Sequence, residues 1–241
     1  MKTETLSPED ALNYQAAVRN QFAALKKIDQ FDELIKRSIL LEGYKGYLVC
    51  VCELHADDDI AIARLTKWRL EAVSFRDSFK PTFDSTKRWL RKLLLDVPDR
   101  ILFFVLDRHG NPVGHSGFAH CMNDKGLMEV DNVIRGVKNA EPGIMTLSSK
   151  ALLRWAVDTI SPRGFYLSTI ESNSHAIEFY ISMGFKVREN KPLRAIEVDG
   201  ITKLKPQAND DQNPPDDYIV YMDYDPPNSP DYVSLNPRQN A

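Results

Sequence analysis

The chain has 241 residues, of which 43% are hydrophobic and 27% charged, an ordinary globular composition with enough length for one large domain or a domain with extensions. A formal net charge of -3 gives no electrostatic footprint for nucleic acid or for an anionic membrane surface, so a small-molecule partner fits the charge best. Three cysteines, Cys50, Cys52 and Cys121, cannot all pair with one another. They read as reduced core thiols, and five scattered histidines with no paired Cys and His spacing predict no metal site. The N-terminus has neither the apolar core of a signal peptide nor a spanning segment, which places the protein in the cytoplasm.

In chain order, Ser7 is a good N-cap before Pro8 and two acidic residues, and the segment to about Leu41 reads as one or two amphipathic helices in an N-terminal extension, residues 1–43. Tyr44 to Leu54 is aromatic and β-branched enough for a strand, and Ala56 to Val73 opens on acidic residues as a helix. Asp84 caps a second helix that closes before Pro98. Two strands follow around a turn at Asp107 to Asn111, where Gly110 and Asn111 are expected to supply positive backbone angles. Leu127 to Ile134 is a further strand, and a loop containing Gly136 and Gly143 leads into a helix at Thr146 to Ile160. Strand Phe165 to Ile170, a helix from Asn173 to Gly184 and strand Phe185 to Asn190 come next. Gln207 to Asp217 reads as loop, Tyr218 to Asp225 as a last strand, and residues 226–241 as a poorly ordered tail.

Two of these segments suggest chemistry. The strand ending near Ile134 releases backbone amides through Gly136, Lys138 and Gly143 into the first turn of a helix, a place suited to a phosphate, with Arg135 and Lys138 adding charge. In "NSHAIEFYISMGF", Ala176, Ile177, Phe179, Tyr180 and Met183 recur at helical spacing, and Gly184 suits a left-handed cap. Tyr180 stands where the apolar face would accept a leucine.

With these segments in hand, the chain resembles the GCN5-related N-acetyltransferase (GNAT) superfamily over roughly Tyr44 to Asp225. "NSHAIEFYISMGF" matches the family's Asn, Ala, Tyr, Gly-Phe pattern, and "PGIM" followed by "ALLRWA" matches its pyrophosphate loop, with Ala140 where a basic residue is expected and Met145 where a small one is. "LTKWR", "STKRWL" and "RILFFVLDRHGNPVGHSGF" resemble the family's first helices and central hairpin. The resemblance implies a single α/β (α+β) domain, residues 44–225, with a mixed, mostly antiparallel sheet flanked by helices. It also implies acyl-coenzyme A as co-substrate, held by Val133, Ile134, Arg135, Gly136 and Lys138, by the amides from Gly143 through Ile144 and Met145 to Thr146, and by Asn173, Ala176 and Phe179.

Tyr180 is then the acid that protonates the departing thiolate. For the base, Asp131 is preferred, with Glu129 on the same strand face, His115 on the adjacent strand and a water relay as alternatives. Asn132 points to the opposite face. The branch most resembled acylates amino sugars carried on nucleotides, with an acetyl or short hydroxyacyl group, as in lipopolysaccharide biosynthesis. Arg69, Arg76 and Lys80 are available to meet such an acceptor's diphosphate. Acetylation of a protein N-terminus or lysine, and a non-catalytic acyl-coenzyme A-binding module, are the competing readings. The N-terminal helices either cover the acceptor site or form a homodimer contact.

Overall fold

The computed structural model describes residues 4–72 and 80–226. Its elements are α1 (Pro8–Lys26), α2 (Phe31–Lys36), β1 (Ile39–Leu40), β2 (Gly46–Cys50), α3 (Asp59–Glu71), α4 (Phe83–Trp89), β3 (Ile101–Asp107), β4 (Pro112–Ala119), β5 (Leu127–Arg135), α5 (Ile144–Ile160), β6 (Gly164–Ile170), α6 (Ser174–Ser182), β7 (Lys186–Val198), β8 (Ile201–Pro206) and β9 (Asp217–Tyr224). Among the described residues, the nine strands form one sheet in the order β1-β2-β3-β4-β5-β6-β9-β7-β8. Every pairing is antiparallel except β5 with β6.

Local chemistry explains the helix boundaries. Ser7, Asp58 and Thr82 accept the first-turn amides of Asp10, Ile60 and Ser85, so the second interior helix begins at Thr82 rather than at Asp84. It continues past Trp89 as a π-helix over Leu90–Leu95. In the β3–β4 hairpin Gly110 alone takes a positive φ, of 81°, and Asn111 does not. The Asp107 carboxylate instead draws in the amides of His109 and Asn111 at 2.8 and 2.9 Å.

Alternation along β3 divides the interior in two. Ile101, Phe103 and Val105 face a core built with α1 and α5, where Trp155 lies 5.4 Å edge-on to Phe103 and 6.5 Å from Phe22. Leu102 and Phe104 face a second core with α3 and the α4 region, around Ile62, Leu65, Trp68, Leu90 and Leu94. The N-terminal segment, expected as an appendage, is built into the first core through Tyr14, Val18, Phe22 and Leu25. Its helical stretch ends at Lys36, and Ile39–Leu40 adds an edge strand instead of a last helical turn.

The expected strand at Phe185 to Asn190 is longer, running to Val198 and turning at Asp199 and Gly200, both at positive φ, into β8, which lies in a stretch read from the sequence as neither strand nor loop. The three cysteines are free and buried. No helix among the described residues is long and apolar enough to cross a membrane.

Lys26, 5% exposed at the end of α1, donates to the carbonyls of Leu94, Val97 and Arg100 at 3.1, 2.5 and 3.1 Å. It thereby ties α1 to the chain that leaves the α4 region. Replacing Lys26 by Met leaves those carbonyls without this donor, and urea unfolding is expected to show a loss of about 3 kcal/mol; an unchanged midpoint would remove Lys26 from this role.

Candidate active site

The parallel pair β5 and β6 is in register for only three residues, Leu127, Met128 and Glu129 against Gly164, Phe165 and Tyr166. Beyond that point β6 continues beside β9 to Ile170, while β5 runs on beside β4 to Arg135. The fork holds a cavity of about 380 Å³, walled by the end of β5, the N-terminus of α5 and the inner side of α6.

A bulge aims the end of β5. His115 opposes Ile134 and Gly117 opposes Asp131, so Asn132 and Val133 together face the single residue Ser116. Asn132 takes a left-handed φ of 54°, which asparagine tolerates better than most residues, and its side-chain amide donates to Asp131 Oδ2 at 2.5 Å. Because of the extra residue, Asp131 and Ile134 share a face although they are three apart. The Asn132 carbonyl lies 2.6 Å from His115 Nδ1. A carbonyl only accepts, so Nδ1 carries the proton.

The loop after β5 is ordered by Arg135, whose guanidinium donates to the carbonyls of Val137, Lys138 and Ala140 at 3.3, 2.8 and 2.9 Å. Gly143 precedes α5 at φ 80° with open space where a Cβ would be. Of the first-turn amides of α5 that follow, Ile144 donates to the Glu141 carbonyl at 3.2 Å and Leu147 to the Gly143 carbonyl at 3.0 Å, while those of Met145 and Thr146 have no acceptor within the helix and sit at the positive end of its dipole. Met145, bulkier than the motif expects, fits because its sulfur lies 3.0 Å from where a Cβ on Gly114 would stand.

From α6, Asn173 caps the helix by accepting the Ala176 amide at 3.4 Å. Tyr180 is 7% exposed, edge-on to Phe179 and Phe185 at 5.1 and 5.4 Å. Burial, then the nearby Asp131 charge, raise the phenol well above its ordinary pKa, so it stays protonated at neutral pH. Asp131 and Glu129 share one face of β5 beside the fork, opposite Gly117 and Ala119. Glu129 accepts from His120 Nδ1 at 2.5 Å, and burial raises its pKa, a shift that the His120 bond opposes.

Of the residues expected at the cofactor, Val133, Ile134, Arg135, Gly143, Ile144 and Met145 line the cavity, as do Thr146, Asn173, Ala176, Phe179 and Tyr180. Gly136 and Lys138 do not. Gly136 is required for packing, since a Cβ there would stand 2.0 Å from the Trp68 ring. Lys138 is exposed on the outside of the loop. Glu71, Ala72, Glu141 and His175 also line the cavity, and sequence reasoning missed them. His175, in the first turn of α6 two residues after the cap, and Glu141, in the loop just before Gly143, carried a positional signal; Glu71 and Ala72 enter through tertiary packing alone.

The base role considered for His115 does not fit its place, fully buried between the sheet and Trp68, whose ring is 6.0 Å away. Arg69, considered for the acceptor's diphosphate, is 7% exposed, with its guanidinium 4.3 Å from the Trp89 ring centroid. Lys80 is exposed, and Arg76 lies outside the described residues.

No family model matches the chain, and no curated protein matches it significantly. Solved structures do. A probable GNAT-family acetyltransferase from Chromobacterium violaceum is 14% identical, with 78% of this chain and 85% of that one covered at a TM-score of 0.56. A GNAT-family acetyltransferase from Bacillus anthracis is 11% identical, with 78% and 98% covered at 0.56. A spermidine/spermine N-acetyltransferase from Vibrio cholerae is 15% identical, with 74% and 91% covered at 0.51. The chain has the GNAT fold.

The buried imidazole gives the fold a pH dependence. Burial first, and the Arg69 charge in support, lower His115 from 6.5 to about 4. The unfolded chain therefore takes up a proton below about 6.5 that the folded chain refuses until about 4. This stability is present above that window and lost as pH falls through it, on the order of 3 kcal/mol. Thermal melts from pH 7.5 to 4.5 are expected to fall more steeply for the wild type than for His115→Asn, which cannot ionise; parallel slopes would contradict this.

Proposed function

We propose that the protein is an acyl-coenzyme A-dependent N-acyltransferase in which Tyr180 is the general acid. The observation that carries this reading is the placement of Tyr180 on the wall of the fork cavity, electrostatically coupled to Asp131, with an amide-presenting helix N-terminus on the opposite wall. The residues fit acyl-coenzyme A by chemistry as well as position. First-turn amides of α5 suit the pyrophosphate, and Val133, Ile144, Ala176 and Phe179 form an apolar lining suited to the pantetheine arm.

Acyl-coenzyme A supplies an activated thioester carbonyl. The chain must supply two proton transfers, one from the arriving ammonium and one to the departing thiolate. A phenol held protonated by burial and by a neighbouring carboxylate is the donor for the second. Asp131 is favoured over Glu129 as the acceptor of the first because its charge is felt at Tyr180; both carboxylates accept hydrogen bonds, Asp131 from the Asn132 amide and Glu129 from His120 and Tyr166. A water relay starting at Asp131 serves the same role.

The acceptor is an amine. The nucleotide-linked amino sugar suggested by the sequence calls for exposed cations; of those considered, Arg69 is buried against Trp89 and Lys80 is exposed. Glu129 and Asp131, half-buried on one face of β5, favour an amine that is itself cationic, and spermidine/spermine N-acetyltransferase from Vibrio cholerae is among the proteins of similar fold.

Tyr180→Phe keeps the ring packing and removes the acidic proton. In a thiol-release assay with spermidine, a nucleotide-linked amino sugar and a lysine peptide as acceptors, the variant is expected to turn over on the order of 10²-fold more slowly at unchanged donor affinity. Wild-type turnover by the variant where chemistry limits the rate would overturn the acid assignment, and preference for the sugar nucleotide or the peptide would overturn the cationic acceptor.

A further inference from the structure

The most unusual backbone at the site is the bulge at Asn132, a non-glycine residue at positive φ in the middle of a central strand. Such a conformation persists only when its surroundings determine it. Here the bulge takes the Asn132 carbonyl out of the regular β4–β5 ladder. The donor that meets it is a side chain from the neighbouring strand, His115 Nδ1–H at 2.6 Å. That ring has little freedom. It is fully buried, shares a sheet face with Phe104 and Ile134, and lies under Trp68.

Trp68 is fixed in turn, edge-on to Phe104 at 6.2 Å and so close to Gly136 that no Cβ fits there. His115 and Trp68 thus grip the two ends of the segment from Asn132 to Gly136, whose middle residues Val133, Ile134 and Arg135 form one wall of the cavity. His115 Nε2 has no hydrogen-bond partner among the described residues, so the imidazole is committed to this single bond. A phenylalanine or leucine would fill the same space without leaving a buried ring nitrogen unpaired. What the imidazole adds is the donor on Nδ1.

We propose that His115 is a positioning residue for the donor site: its Nδ1–H, given to the Asn132 carbonyl, holds the bulge that sets the direction of Val133 to Arg135 along the cavity. The inference rests on the reading of that cavity as the acyl-coenzyme A site. His115 touches no substrate and moves no proton in the reaction. Its effect is on where the backbone that meets the donor stands, and so on donor affinity rather than on the chemical step.

The side chain of asparagine carries an N–H in the place of imidazole Nδ1–H, while leucine fills the space with no donor. Calorimetry with coenzyme A is expected to give His115→Asn an affinity close to wild type and His115→Leu one about tenfold weaker, the size of one buried hydrogen bond. At saturating donor, kcat should stay near wild type in both variants, the loss in His115→Leu appearing in the donor KM. Amide exchange in the ligand-free protein should be faster across residues 133–136 in His115→Leu and unchanged in His115→Asn.

Wild-type affinity and exchange in a folded His115→Leu protein would overturn the proposal. If that variant fails to fold, ¹⁵N NMR of the wild-type imidazole still decides it: a neutral ring protonated on Nδ1 is expected, and protonation on Nε2 would overturn it. Failure of the wild type to bind coenzyme A would instead refute the acyltransferase reading, with the tautomer and the ligand-free exchange still reporting on His115.

Discussion

The site depends on how soon a parallel strand pair stops pairing. β5 and β6 share three residues of register and then part, each continuing beside its other neighbour. A sheet that opens in this way leaves backbone and apolar side chains along its inner edges without a sheet partner, and such groups require either cover or a ligand. α6 covers one edge and the N-terminal turn of α5 faces the other, leaving the space between them as the cavity. The chemistry proposed for Tyr180 and Asp131 follows from their standing at this fork, one on the helix that lines it and one on the strand that forms it.

The remaining elements hold that fork open. α1 and α5 pack on one face of β2 to β4, and α3 with the α4 region packs on the other, so the strands leading into the fork are fixed from both sides. Two close approaches connect these cores to the site. Trp68 of α3 lies against Gly136 at the end of β5, and Met145 of α5 lies against Gly114 of β4. In both, a glycine gives room for a large side chain on the opposing element, and the wall of the cavity is placed by the contact. Arg135 then ties the following loop to itself through three carbonyls, which makes it a scaffold for the loop in addition to a nearby positive charge.

The local elements were legible in the sequence because periodicity and capping are local. The helix with Tyr180, the strand, loop and helix order before α5 and the central hairpin all carried such signals. The fork was not legible, since register between strands distant in the chain has no local signature. His115 was ambiguous for a related reason: whether an imidazole is a solvent-facing base or a buried donor depends on what lies over it, and Trp68 enters from another element. The continuation of β7 past Asn190 and its partner β8 were missed because most of their residues are exposed, so they lack the apolar alternation of a half-buried strand; the Asp199-Gly200 turn was the available clue. Arg69 read as a cation available to an acceptor's diphosphate because nothing in the sequence places it against Trp89.

The claim that the fork is the donor site is tested most directly by amide hydrogen exchange of the wild-type protein with and without coenzyme A. The account predicts added protection on both walls at once, at the end of β5 over residues 133–135 and at the start of α5 over residues 144–147, with further slowing in the first turns of α6. Binding that leaves these three segments unchanged, or protects a surface away from the fork, would contradict it.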